Sequence, residues 1–164
     1  MKEEEIIQPV SKELLRSELT PDRLLRGTNK SHNDIYVFSA NEAPHLMDEI
    51  GRLREEAFRS AGGGTGKAKD IDEFDLMPNC CKQLIVWNPD SEEIIGGYRY
   101  VFGDDWKLGS NGQPILATSH MFHFSDKFLK EYAPYTVELG RSFVSLGWFG
   151  CSHSVKSKLQ ILLW

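Results

Sequence analysis

Two apolar, β-type runs, Gln83-Leu84-Ile85-Val86-Trp87 and Ile94 to Phe102, are separated only by Asn88-Pro89-Asp90-Ser91 and two glutamates. A turn of that composition between two strand-like runs commits them to an antiparallel hairpin. Gly96-Gly97 inside the second run predicts a bulge or a close approach of another backbone. The hairpin needs an apolar layer to cover it. Pro44 to Arg59 supplies one, because Leu46, Met47, Ile50, Leu53, Ala57 and Phe58 fall on one helical stripe. Ile35-Tyr36-Val37-Phe38 adds a strand before that helix, and Thr136 to Leu146 reads as another after the hairpin.

The expected architecture is therefore α/β (α+β), a twisted sheet flanked by helices. Residues 1–32 read as a polar helical lead-in, with Ser11 capping one helix. Thr20-Pro21-Asp22 starts a second helix that Gly27 would stop. Residues 33–146 read as the main unit. Ala61 to Asp75 reads as a glycine-rich, then acidic, loop. Ile115 to Phe124 is expected to hold a short strand, and Ser125-Asp126 to start a helix ending before Pro134. Residues 147–164 form an atypical tail. Its apolar end, Leu159 to Trp164, lacks the polar character of most domain ends and predicts a chain cut after Leu146, through a frame change or a shortened gene.

The chain has 164 residues, 40% hydrophobic and 26% charged, which suits one domain with a core. A formal net charge of -5 argues against a generic nucleic-acid partner. The acidic start, Met1 to Glu5, is not a secretion signal. Three cysteines, Cys80, Cys81 and Cys151, have no disulfide-framework spacing, so a reducing cytoplasm is expected, with peripheral membrane contact left open.

Gly62-Gly63-Gly64-Thr65-Gly66-Lys67 departs from a phosphate loop at both ends, with Ala61 and Ala68 where glycine and serine or threonine belong. His120 and His123 have no partner at metal-ligand spacing, so no metal site is expected. Asp70-Ile71-Asp72-Glu73-Phe74-Asp75 packs four carboxylates into six residues. It reads either as a solvated acidic loop or as a site for a cationic group. Arg99, Glu138 and Arg141 stand in strand-like runs, where a charge is costly unless paired or solvated. Glu138 and Arg141 would face oppositely unless Gly140 permits a bulge.

Arg54 with Phe58, the acidic segment 70–75, Gly-Gly-Tyr-Arg (96–99) and Glu-Leu-Gly-Arg-Ser-Phe-Val (138–144) occur in that order. The set resembles the GNAT-related N-acyltransferases of the ornithine-lipid and N-acylglycine synthase group, often labelled haemolysin-like. The glycine-acylating synthases of Bacteroides-type bacteria are the best fit. The acyl-homoserine-lactone synthases carry a similar ordered set. The resemblance covers about Ile35 to Leu146. It implies a twisted mixed sheet and a direct attack of an amine on an acyl thioester. Acyl carrier protein or acyl-CoA would be the co-substrate, with no bound cofactor.

By the same resemblance, Glu138 is the base, Asp72 and Asp75 hold the acceptor's ammonium, and Arg99 or Arg141 clamps its carboxylate. Arg54 and Phe58 complete the substrate side. The family's glycine-containing turn for the pantetheine phosphates is expected after Leu146, and Gly147 to Trp164 does not match it. Loss of the donor site would leave little activity. The alternatives are an acyl-homoserine-lactone-type synthase, which would need a site for S-adenosylmethionine, and a non-catalytic remnant that binds an acyl carrier or an amino acid.

Overall fold

The computed structural model describes residues 3–29, 31–77 and 81–149. Cys80, Cys151 and the tail from 150 onward lie outside them. Five strands, β1 (Leu24–Gly27), β2 (Asp34–Phe38), β3 (Lys82–Asn88), β4 (Glu93–Phe102) and β5 (Val137–Val144), form one sheet in the order of the chain. Every pairing among them is antiparallel. The helices are α1 (Lys12–Glu18), α2 (Pro44–Ser60), the single turn α3 (Glu73–Leu76), α4 (Asp126–Glu131) and a last turn α5 (Leu146–Phe149). No described helix is long and apolar enough to cross a membrane.

The apolar stripe of α2 does what its spacing predicts. Leu46, Met47, Ile50 and Leu53 are buried against Tyr36, Phe38, Ile85, Trp87, Ile94 and Phe143, all from the sheet. Full burial of such side chains contributes about 1.5–3 kcal/mol each, so this layer is the main source of stability. Phe58 and Ala57 pack at its margin. The start of α2 has no side-chain cap of its own. Instead, the Glu18 carboxylate at the end of α1 accepts the N–H groups of His45 (3.1 Å) and Leu46 (2.8 Å). Those are orphan donors of a helix start, and an anion is favoured there.

The glycine pair in β4 answers to close approach. A Cβ at Gly97 would lie 2.3 Å from the Leu84 carbonyl oxygen, and one at Gly96 would lie 2.5 Å from the Phe143 carbonyl oxygen. Neighbouring strands thus press on β4 from both sides. The register slips near both glycines, between Val86 and Trp87 on one side and between Gly97 and Arg99 on the other.

Two local expectations are corrected. Residues 24–27 are a strand paired with β2, preceded by a turn, and not a second helix. Residues 115–124 hold a 3-10 turn at Ala117–His120 and an irregular loop, not a strand. Just before that segment, Leu108 pairs with Pro114 in an isolated bridge.

The glycine-rich loop is anchored and not an open phosphate cradle. The Glu55 carboxylate, fully buried on α2, accepts the N–H groups of Thr65 (3.0 Å) and Gly66 (2.9 Å) and the Thr65 hydroxyl (2.6 Å). Arg59 holds the same carboxylate from the side at 2.8 Å. Burial pushes the Glu55 carboxyl up, but these donors outweigh it and hold it below its ordinary value. The Thr65 and Gly66 N–H groups thus already meet an internal anion, and those of Gly62 and Gly63 bond to the Arg59 and Phe58 carbonyls at the end of α2.

Candidate functional site

The acidic segment folds into α3 through a capping box. Asp72 Oδ1 accepts the N–H groups of Phe74 (2.9 Å) and Asp75 (3.3 Å), and Asp75 Oδ2 accepts the N–H of Asp72 (3.1 Å). This reciprocal cap aims both carboxylates at the sheet instead of at solvent. Three arginines meet them there, from α2, β4 and β5.

The innermost is Arg54. Its Nη1 donates to both oxygens of Asp75, at 3.1 and 3.2 Å, and its Nη2 donates to Gln83 Oε1 at 2.6 Å. Gln83 Nε2 closes the triangle on Asp75 Oδ1 at 2.9 Å. The Arg54 and Asp75 side chains are both 0% exposed. Burial pulls the guanidinium below its usual value and Asp75 restores only part, yet an arginine stays charged in a protein.

Arg99 stands in the next layer. It donates to Asp72 Oδ1 at 2.5 Å, lies 3.3 Å from Asp75 Oδ2, and passes over the Phe74 ring at 5.4 Å from its centroid. Burial lowers its affinity for the proton, but the Asp72 hydrogen bond and the two carboxylate charges raise it above the ordinary value.

Arg141 is outermost. Its Nη2 donates to Asp72 Oδ2 at 3.2 Å, and its Nε lies 3.4 Å from Asp70 Oδ2 without a hydrogen bond. It reaches there because β5 is bulged. Gly140 pairs with Arg99 and Phe143 pairs with Gly97, so β5 spends three steps where β4 spends two. The strained residue is Arg141 itself, at φ 54°, and not Gly140. A non-glycine residue in the left-handed region is uncommon and is held only where the surroundings fix it. The bulge puts Arg141 on the face of Glu138, which a regular strand would not.

Asp70 and Asp72 are two residues apart and behave oppositely. Burial raises the Asp70 carboxyl above its ordinary value, and Arg141 and Arg54 offset only part of that. Burial also opposes ionisation of Asp72, but there the Arg99 hydrogen bond and the charges of Arg99 and Arg141 win, and the carboxyl is held low.

A cleft of about 420 Å³ opens on the outer end of this network. Asp72, Phe74, Cys81, Arg99, Thr118, His120, Glu138 and Arg141 all line it. Glu138 pairs in register with Val101 and is partly exposed, and its Oε1 accepts the Thr118 N–H at 2.9 Å. Four residues expected at the site, Glu138, Asp72, Arg99 and Arg141, therefore share one cleft.

Three others do not. Arg54 and Asp75 are sealed beneath it, with Asp75 held against Arg99 and within the capping box of α3. Phe58 packs on the principal core. The residues that sequence reasoning missed are Gln83 and Asp70, which complete the network, and Thr118, whose backbone N–H orients Glu138. Gln83 carried a signal, since a fully buried amide in an apolar strand needs partners. Thr118 carried none, because a backbone donor is the same in every residue.

A wider groove of about 590 Å³ lies elsewhere, between the loop near Lys67 and the start of α2. Lys69 is paired with Asp48 there, and none of the residues expected at the site lines it. No group of three or more His, Cys, Asp or Glu among the described residues is arranged to hold a metal ion.

The model of the acetyltransferase (GNAT) domain matches residues 53–147, more than half of the chain. The chain belongs to that family. A protein of Phocaeicola vulgatus named glycine N(alpha)-acyltransferase is 66% identical over 143 residues, covering 87% of this chain and 44% of the relative. A protein of the same name from Bacteroides thetaiotaomicron is 67% identical over 143 residues, covering 87% of this chain and 42% of the relative. The chain thus spans less than half the length of these relatives. No solved structure matches it significantly.

Proposed function

We propose that residues 33–146 form the acceptor side of an N-acyltransferase site, which joins a fatty acyl group to the amine of glycine. One observation carries the reading: the Arg141 bulge brings a carboxylate and a guanidinium, Glu138 and Arg141, to the same cleft. The name of the two relatives, glycine N(alpha)-acyltransferase, supports glycine as the acceptor. Glycine is an ammonium ion beside a carboxylate, and the cleft offers one group for each.

In this reading Arg141 and Arg99 take the glycine carboxylate, as guanidinium forks suit it. Asp72 lies beside the ammonium. Thr118 fixes Glu138 through Oε1, leaving Oε2 to accept the ammonium proton, directly or through one water. The freed nitrogen lone pair attacks the thioester carbonyl carbon. Its oxygen gains negative charge and then re-forms the carbonyl as the C–S bond breaks; the sulfur leaves with the electron pair and takes the second proton from the attacking nitrogen, giving the amide and a free thiol. An acyl carrier protein as donor and a cytoplasmic setting belong to the same proposal.

The test is to mix the purified chain with palmitoyl-loaded acyl carrier protein or palmitoyl-CoA and with glycine or ornithine, and to measure N-acyl amino acid by mass spectrometry. N-acylglycine that falls about 10²–10⁴-fold in Glu138→Gln, with folding unchanged, supports the reading. Undiminished product in that variant removes Glu138 as the base. Product from ornithine alone moves the acceptor. The absence of both product and N-acylglycine binding sinks the proposal.

A further inference from the structure

An antiparallel sheet with one side in water alternates apolar and polar residues along each strand. Strands β2 to β5 instead carry apolar residues at inward and outward positions alike. The inward ones meet α1, α2 and α3. The outward ones lie abreast in rows fixed by the register. Val37, Leu84 and Tyr98 form one row, Tyr100 pairs with Leu139 in the next, and Phe102 pairs with Val137 in the last. Tyr98, Tyr100 and Phe102 run edge to face along β4, with ring centroids 6.5 and 5.3 Å apart. Neither apolar cluster of the described residues includes any of these side chains. Phe102, Val137 and Leu139 are 55%, 42% and 55% exposed.

Lys82 and Glu93 are the charged residues at outward positions of β2 to β5, and both are exposed. They stand at opposite ends of the β3–β4 hairpin. Lys82 pairs with Tyr100 near the end of β4, whereas Glu93 pairs with Asn88 beside the turn. A two-fold axis in the sheet plane, across the strands, would stack two copies face to face with their strands antiparallel. It brings Lys82 of each copy to the end where the other carries Glu93. The face is therefore apolar in its middle and complementary to itself at its ends, as a contact between identical surfaces must be. Four strands about 4.8 Å apart and about six residues long span roughly 400 Å² in projection. Exposed apolar patches of that size mark interaction sites. A pair of such faces stands at the small end of specific interfaces.

We propose that the side of the sheet that no described helix covers is a contact between two copies of the chain, packed as a β-sandwich. Sheets stack in this way about 10 Å apart, with strands within about 30° of one another. Glu138 pairs with the buried Val101, so its cleft lies on the other side of the sheet. Both clefts of a pair stay open, and the inference does not depend on the acyl-transfer reading.

The test is sedimentation velocity of the whole chain from about 1 to 200 µM, where a species of two chains should form with a dissociation constant on the order of 10 µM. Tyr100→Lys and Phe102→Lys each put a cation in the middle of the contact and should weaken the pair by about tenfold or more. Both positions face outward within one chain, so circular dichroism should show the fold retained. Reversing the end charges gives the sharper readout. Lys82→Glu or Glu93→Lys alone should weaken the pair by about three- to tenfold at low salt, and both reversals in one chain should restore it. A chain that sediments as one copy throughout overturns the inference and leaves the face to another occupant. A two-chain species that Tyr100→Lys and Phe102→Lys leave intact overturns it as well, and so does one that the double reversal fails to restore.

Discussion

Arg54 and Arg141 pair with aspartates of the same six-residue segment, yet they sit in opposite physical settings. Arg54 is sealed, with its Asp75 partner and Gln83 also out of reach of water. Arg141 keeps 35% of its side chain exposed and lines a cleft. The first pair has given up all hydration and must be satisfied internally. The second keeps part of its side chain exposed at the wall of the cleft, while its Nε is buried without a hydrogen bond. Similar residues in one network therefore divide into a sealed part and a cleft-lining part, and burial, not residue type, draws the line.

That division can be broken or sharpened by substitution. The largest effect is expected at the sealed end. Arg54→Ala leaves Asp75 as a buried charge without its main partner and should cost about 3–5 kcal/mol in urea unfolding. A loss below about 1 kcal/mol would mean that water reaches the pair and that the sealed layer is not sealed.

Asp72→Asn comes next. It weakens one charge-assisted bond to each of Arg99 and Arg141, and about 1.5–3 kcal/mol should be lost at pH 7. The Asp72 carboxyl is held low in the folded chain, so its contribution is present above the ordinary carboxyl value and is lost as pH falls through the lowered one. The gap between wild type and variant should therefore narrow in acid. A gap that stays constant down to pH 3 would show that ionisation of Asp72 is not what stabilises the fold.

The smallest effect, and the sharpest for its sign, is expected at Asp70. Its carboxyl is raised by burial, so its favourable contribution is full below the ordinary value and is lost as pH rises through the raised one. At pH 7 the ionised group opposes folding. Asp70→Asn should then be as stable as wild type or slightly more so at pH 7, with that advantage gone at low pH. A clear loss at pH 7 would place the Asp70–Arg141 contact among the stabilising pairs.

The scaffold was readable where side-chain burial drives it. Helix α2 announced itself by its stripe, and β3 and β4 by apolar runs around a turn. Strand β1 did not, because all four of its residues are exposed and only backbone pairing with β2 specifies it. Pro21 and Gly27 gave signals that fit a helix equally well. The loop 113–124 misled for the reverse reason. Its apolar residues imitate a strand, but a glutamine side chain provides the hydrogen bonds that a neighbouring strand would have given.

At the site, residue types and order pointed to Glu138, Asp72, Arg99 and Arg141, which share a cleft. The depth of each was not legible. Asp72 and Asp75 look alike in sequence, and only the capping box and the partners brought from 27 and 69 positions away separate a lining carboxylate from a buried one. The bulge was legible as a possibility at Gly140, and the structure moves the strained residue to Arg141.

Gln113 ties both ends of the 113–124 segment, its Nε2 donating to the Phe124 carbonyl and its Oε1 accepting the Phe124 N–H. Two points inside the tie still reach the sheet: Leu116 is buried with Val101 of β4, and the Thr118 N–H holds Glu138 of β5. A change of loop length carries loop-closure entropy of only about 0.6 kcal/mol for each doubling. The segment is thus a cassette with a fixed half: residues after Thr118 can be lengthened, shortened or exchanged, while 116–118 must stay for the charged layer to keep its register.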